Sequence, residues 1–267
     1  MMLESWPKFG RAAGALCYLL CAACDEASGS VEGAREPAVS ASTDGGPRHD
    51  AALKTDMDDS LAACAAMGGQ APRTIADVVA RVNALPPPAT VACLIASLPR
   101  PLSLVASTSP SSLQPAGGPQ RPRIFVMSDT LTLSVVAGGE AEHLVEFGQW
   151  VSPVRTLKGE LAFPFERPLA DDAPYKHLLE QEGATTACRL CHTGESAHET
   201  IPNAFVSEAL RVATYYELPI DRLRSVRDSC GGPSGDDASA RCAILRALFD
   251  HGEVRQGAFD EAVRPGF

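Results

Sequence analysis

Nine cysteines in a chain of 267 residues fall into three groups, and this distribution constrains the fold more than any other sequence feature. Cys17, Cys21 and Cys24 lie in the N-terminal stretch, Cys64, Cys93, Cys230 and Cys242 are scattered singly, and Cys188 and Cys191 are separated by two residues. A disulfide needs its two Cα atoms within about 7 Å, so oxidation of the scattered four would dictate which segments meet. In an exported protein these four are candidates for two disulfides, and proximity along the chain pairs Cys64 with Cys93 and Cys230 with Cys242. Other connectivities are open.

The first group indicates export. Lys8 and Arg11 precede an uncharged, mostly apolar run over residues 12–23, which is too short to span a bilayer and ends in small residues, as a signal segment does. Cys21-Ala22-Ala23-Cys24 resembles a bacterial lipobox. The resemblance implies residues 1–24 as a lipoprotein signal peptide with Cys24 acylated, although Cys21 replaces the usual aliphatic residue. Cys17 is an alternative acceptor, and a cleaved signal without lipid is the other reading. The expected location is the cell envelope, across the inner membrane, with a lipid anchor on the periplasmic or outer-membrane side. Residues 25–56 are rich in Ala, Gly, Ser and acids, lack apolar periodicity, and are expected to be a disordered tether.

The chain carries 23 Lys and Arg against 33 Asp and Glu, a net charge of −10. That excess argues against nucleic acid, whose phosphates select for basic patches. Membrane association is therefore expected through lipid and not through charge.

Residues 57–169 read as an α+β region of unknown role. Thr74 and Asp77 have capping-box spacing, and Ile75, Val78, Val79 and Val82 share one helical face. Pro86-Pro87-Pro88 ends that helix, and residues 91–98 form a third, which a Cys64–Cys93 bond would staple to the first. Beyond the proline-rich loop 110–122, short alternating runs at 124–127, 130–135, 144–147 and 155–165 predict a small antiparallel sheet, joined by 102–106. Residues 170–267 are expected to be mainly helical, with helices near 175–182, 203–212, 220–227 and 238–250. The last is capped by Asp236 or Asp237 and buries Ile244, Leu245 and Leu248. The fold class is α+β: N-terminal helices and a small sheet, followed by a mainly α-helical haem-binding segment.

That assignment of the last segment rests on Cys188-Arg189-Leu190-Cys191-His192. Covalent haem attachment adds two thiols to the two vinyl groups of the macrocycle, so the cysteines stand about one turn apart and the next histidine faces the iron. On this pentad the last third of the chain resembles a c-type cytochrome. The resemblance implies one covalent haem c, thioethers at Cys188 and Cys191, and His192 as the proximal iron ligand. It further implies a non-enzymatic electron carrier or haem-binding protein with an unidentified redox partner protein. The chain departs from small monohaem cytochromes in having no methionine after Met127. Distal-ligand candidates are His251, at the end of the last helix, and His177; His198 is too near His192 in sequence to reach the far face easily. Two histidine ligands imply a low potential, because imidazole stabilises ferric iron more than a thioether does.

The rival reading is a non-haem cell-envelope binding or structural lipoprotein, with Cys188, Cys191, His192 and His198 in a zinc site or with a Cys188–Cys191 disulfide. Adjacent Cys191 and His192 fit no common zinc spacing. No Gly-x-Ser-x-Gly, phosphate-binding glycine loop or His-Glu-x-x-His is present to indicate conventional catalysis.

Overall fold

A computed structural model describes residues 47–180, 183–231 and 239–266. The expected acylation site Cys24, the alternative Cys17, the tether over 25–46 and the caps Asp236 and Asp237 lie outside these residues. Helix α1 spans Pro47–Ala66, so the last ten residues assigned to the tether are helical, with proline at the first helical position, where its missing N–H costs nothing. α2 (Ile75–Ala84) starts at the expected capping box: Thr74 Oγ1 accepts from the Asp77 amide, and the Asp77 carboxylate accepts from the Thr74 amide. Its buried face is Ile75, Val78, Val79 and Val82, as the periodicity predicts. α3 (Val91–Ala96) is capped by Thr90, and the Cys64–Cys93 bond ties it to α1 with the two Cα atoms 5.3 Å apart.

Five strands follow as an antiparallel meander: β1 (Leu102–Ser107), β2 (Arg123–Met127), β3 (Leu131–Val136), β4 (Leu144–Ser152) and β5 (Arg155–Ala162). These are the runs that alternation marked in the sequence. One face is apolar: Leu104, Ile124, Leu131, Leu133, Val145, Phe147 and Leu157 belong to the same buried cluster as the helices. The opposite face carries Arg123, Thr132, Ser134, Thr156 and Lys158, and these too are buried. Alternation within a strand assigns residues to faces, but burial of both faces requires a second covering layer. Here the loop after β1 and the segment around Cys188 supply it.

The C-terminal region corrects the sequence-based expectation. Residues 170–267 are not a mainly helical segment. The chain is mixed α/β, and β6 (Ser196–Ala197), β7 (Phe205–Glu208), β9 (Glu217–Leu218) and β10 (Val254–Gln256) all join one mostly antiparallel nine-stranded sheet, whose order is β10-β1-β2-β3-β4-β5-β7-β6 with β9 also on β1. Residues 203–212, expected as a helix, hold β7 and β8 (Leu210–Arg211), which pairs with β11 (Arg264–Pro265). Phe205, Val206, Leu210 and Val212 match a helical spacing, but open backbone groups on β5 offer a strand edge that Val206 and its neighbours complete. Of the described residues 175–180, only the end of α4 (Ala173–Lys176) is α-helical. Helices α5 (Ile220–Asp228) and α6 (Ala240–Phe249) do form where expected. Ser239 caps α6, Cys230–Cys242 closes the loop before it, and Ile244, Leu245 and Leu248 are buried against α3 and α5. No described helix is long and apolar enough to cross a membrane.

Candidate functional site

The pentad sits on the polar face of the sheet. Thr186, 1% exposed, starts a turn of 3₁₀ helix over Ala187–Leu190: its Oγ1 accepts from the Cys188 amide and donates to Glu195 Oε2 at 2.5 Å, while Glu195 Oε1 accepts from the Thr186 amide. The amides of Cys191 and His192 then both donate to the Cys188 carbonyl. This single turn turns Cys188 inward, half-buried, and leaves Cys191 exposed. Both are free thiols, whereas Cys64, Cys93, Cys230 and Cys242 are consumed in the two disulfides that proximity predicted.

His192 is fixed by the main chain of β7. Its Nδ1 lies 2.7 Å from the Glu208 carbonyl, an acceptor only, so the proton is assigned to Nδ1 and the lone pair to Nε2. Burial, reinforced by the Lys158 charge, lowers the imidazole pKa to about 3, and the ring is neutral at physiological pH. Lys158 arrives from β5. Its Nζ donates to Thr156 Oγ1 at 2.6 Å and stands 3.4 Å from both Glu208 O and His192 Nδ1. Burial lowers this ammonium to about 8, and among the described residues no carboxylate stands within ion-pair distance of it. Burial also pushes the Cys188 thiol up to about 11, against the attraction of Lys158.

Next to these lies a row of charges across the strands. Arg123 on β2 pairs with Glu146 on β4, donates to Ser134 Oγ at 2.6 Å and to Ser112 Oγ, and lies over the Phe125 ring. Glu146 is directly opposite Glu160 on β5. Burial and the Glu146 charge raise the Glu160 pKa, while Gln114 Nε2 and His177 Nδ1 hydrogen-bond its two oxygens at 3.0 and 2.8 Å. Arg123, Thr132, Glu146, Lys158, Cys188 and His192 line one small cleft between the sheet and the pentad, of about 80 Å³.

The other histidines stand elsewhere. His177 is held by Glu160 at the edge of the charged row. His251 follows α6 beside Arg100 and Asp250, away from the cleft lining, and burial lowers its pKa. A neutral ring there is not the helix-terminal cation; Arg100 fills that role, donating to the Ala247 and Leu248 carbonyls. His198 caps its own turn, accepting from the Thr200 and Ile201 amides. Among the described residues no three His, Cys, Asp or Glu side chains converge as a metal-binding group.

Comparison with protein-family models, curated proteins and solved structures returned no match to this chain. The cleft itself therefore carries the functional argument. Sequence reasoning placed Cys188, Cys191 and His192 but missed Lys158, Arg123, Glu146, Glu160 and the Glu208 carbonyl. Lys158 and Glu160 alternate with Leu157, Gly159 and Leu161, a pattern that a half-solvated strand shares, so β5 alone does not mark them as buried. Their one signal was the run of such charges on adjacent strands, which a solvated sheet does not need.

Proposed function

We propose that this protein carries one covalent haem c, attached through Cys188 and Cys191 with His192 Nε2 as axial ligand, and transfers electrons in the cell envelope to a partner protein. The observation that carries the reading is the His192 Nδ1–Glu208 O hydrogen bond. It fixes the tautomer and the ring orientation, as outer-shell carbonyls do for metal-ligating histidines. The donor set fits as well. Two thiols remain unpaired at the pentad while the other four described cysteines are oxidised, and the cleft beside them is open to solvent on one side. Bound there, the haem iron would supply one-electron chemistry. The protein's own contribution is to hold the Cys188–Cys191 turn through Thr186 and Glu195, to orient His192, and to surround it with fixed charge.

A zinc reading lacks a third converging ligand among the described residues. Neither His177 nor His251 lines the cleft, and no methionine does, so the cleft lining supplies no second axial ligand of either type. The experiment is co-expression of the full chain with haem-maturation machinery. Soret and α bands that survive denaturation, and are lost from the Cys188→Ala/Cys191→Ala variant, support the proposal. Colourless protein that contains zinc overturns it.

A further inference from the structure

At one end of the sheet the β2–β3 turn, the β4–β5 turn and the chain after β10 bound a groove of about 590 Å³, far roomier than the pentad cleft. Met127, Trp150, Val151 and Pro153 give it apolar walls. A bulge presents part of that surface. Thr156 stands opposite Trp150 and Arg155 opposite Ser152, so Val151 has no partner on β5 and is turned outward, 47% exposed. Val154, on the other side of Pro153, is 39% exposed. A solvated hairpin tip needs none of these side chains, and together they form a patch instead of one scattered apolar residue. Trp150 is held in place: its Nε1 donates to Thr132 Oγ1 at 3.2 Å, which satisfies the polar end of the indole within the sheet while the half-buried ring lines the groove.

Charge selects the occupant. Asp129 and Asp260 line the same groove, both exposed, and no Lys or Arg does. Among the described residues no third acid, histidine or cysteine joins them as a metal site. Two carboxylates also repel phosphate, whether of nucleic acid or of a membrane surface. We propose that this groove docks a basic segment of a partner protein, with the stem of an arginine or lysine laid along Trp150 and Met127 and its charged head between Asp129 and Asp260. A guanidinium suits the site better than an ammonium, because it is planar, stacks on an aromatic face and is less strongly hydrated. Val151 and Val154 take apolar side chains that flank it in the same segment. Trp150 also lines the pentad cleft, so the docked segment lies beside the Cys188 turn. Every group involved is protein, and the inference stands whether or not Cys188 and Cys191 carry haem.

The probe is a pool of short capped peptides with two arginines among valines and alanines, beside the same pool with glutamate for arginine, each titrated into the full chain at low salt. The chain has two tryptophans, Trp6 and Trp150, so a change in emission that vanishes in Trp150→Phe reports the groove. The arginine pool binds about tenfold more tightly than the glutamate pool, and added salt weakens it. Asp129→Asn/Asp260→Asn weakens it about fivefold, as expected for two exposed ion pairs. Asparagine retains the Oδ1 acceptor that Asp260 offers to the Ala262 amide, so the double variant keeps the loop. Equal binding of the two pools, an arginine pool indifferent to the double variant, or no response from Trp150 overturns the proposal. A parent chain that dimerises in sedimentation while Val151→Ser stays monomeric also overturns it, because a second copy then occupies the groove.

Discussion

Replacing Arg123 with methionine removes a guanidinium that is 5% exposed and leaves its partner Glu146 facing Glu160 across the strands. Breaking a buried ion pair from one side costs about 3–5 kcal/mol, because the remaining charge is desolvated and unpaired. Glu146 keeps 26% of its side chain in contact with solvent, which places the loss at the lower end, about 3 kcal/mol. Loss of the stacking on Phe125, at 5.0 Å, adds about 0.5–1 kcal/mol, partly offset by methionine packing on the same ring. With a urea m-value of about 2 kcal/mol/M, the unfolding midpoint falls by roughly 1.5 M. The double variant Arg123→Met/Glu146→Leu removes both charges and also relieves Glu160, so it returns to within about 1 kcal/mol of the parent. The cycle then shows a coupling of about 2 kcal/mol or more. Urea denaturation followed by circular dichroism measures all four proteins. A loss below about 1 kcal/mol for Arg123→Met, or a double variant that loses the sum of the singles, refutes the account of a buried and mutually dependent pair.

Three further outcomes follow from the same structure. Cys64→Ala/Cys93→Ala opens a loop of 29 residues and lowers stability by about 3–4 kcal/mol, and Cys230→Ala/Cys242→Ala, with a separation of 12, by about 3 kcal/mol, measured by thermal or urea unfolding. Glu160 holds its proton more tightly when folded than when unfolded, so its contribution is full below the ordinary glutamate value of 4.5 and is lost as pH rises through the elevated folded value. Glu160→Gln therefore shows a shallower decline of stability with pH above 4.5 than the parent, and parallel curves would exclude Glu160 as the source. In haem-free protein, a Cys188 thiol at about 11 instead of 9.0 has about a hundredfold less thiolate at pH 8, so mass spectrometry after iodoacetamide treatment finds it alkylated about that much more slowly than in urea.

Local pattern determined a large part of this protein. Alternation marked β1 to β5, a 3.6-residue period and a capping box marked α2, the apolar face of Ile244, Leu245 and Leu248 marked α6, and closeness in sequence paired the four scattered cysteines correctly. Each of these signals lies within a few residues, or follows from short loop closure, and needs no knowledge of the rest of the chain. The spacing of Cys188, Cys191 and His192 is legible for the same reason.

Tertiary structure decided the rest. The two- to four-residue strands β6, β7, β9 and β10 are too short to show a period, and they exist because the edges of β1 and of β5 or β7 supply hydrogen-bond partners. The tautomer of His192 depends on a carbonyl 16 residues further along, and its charge environment on Lys158, 34 residues earlier. Whether Lys158, Arg123 and Thr156 meet water or protein is a question of what covers the second face of the sheet. Strand alternation assigns the face; only the folded chain, bringing the loop after β1 and the Cys188 turn over it, makes that face a buried polar cleft.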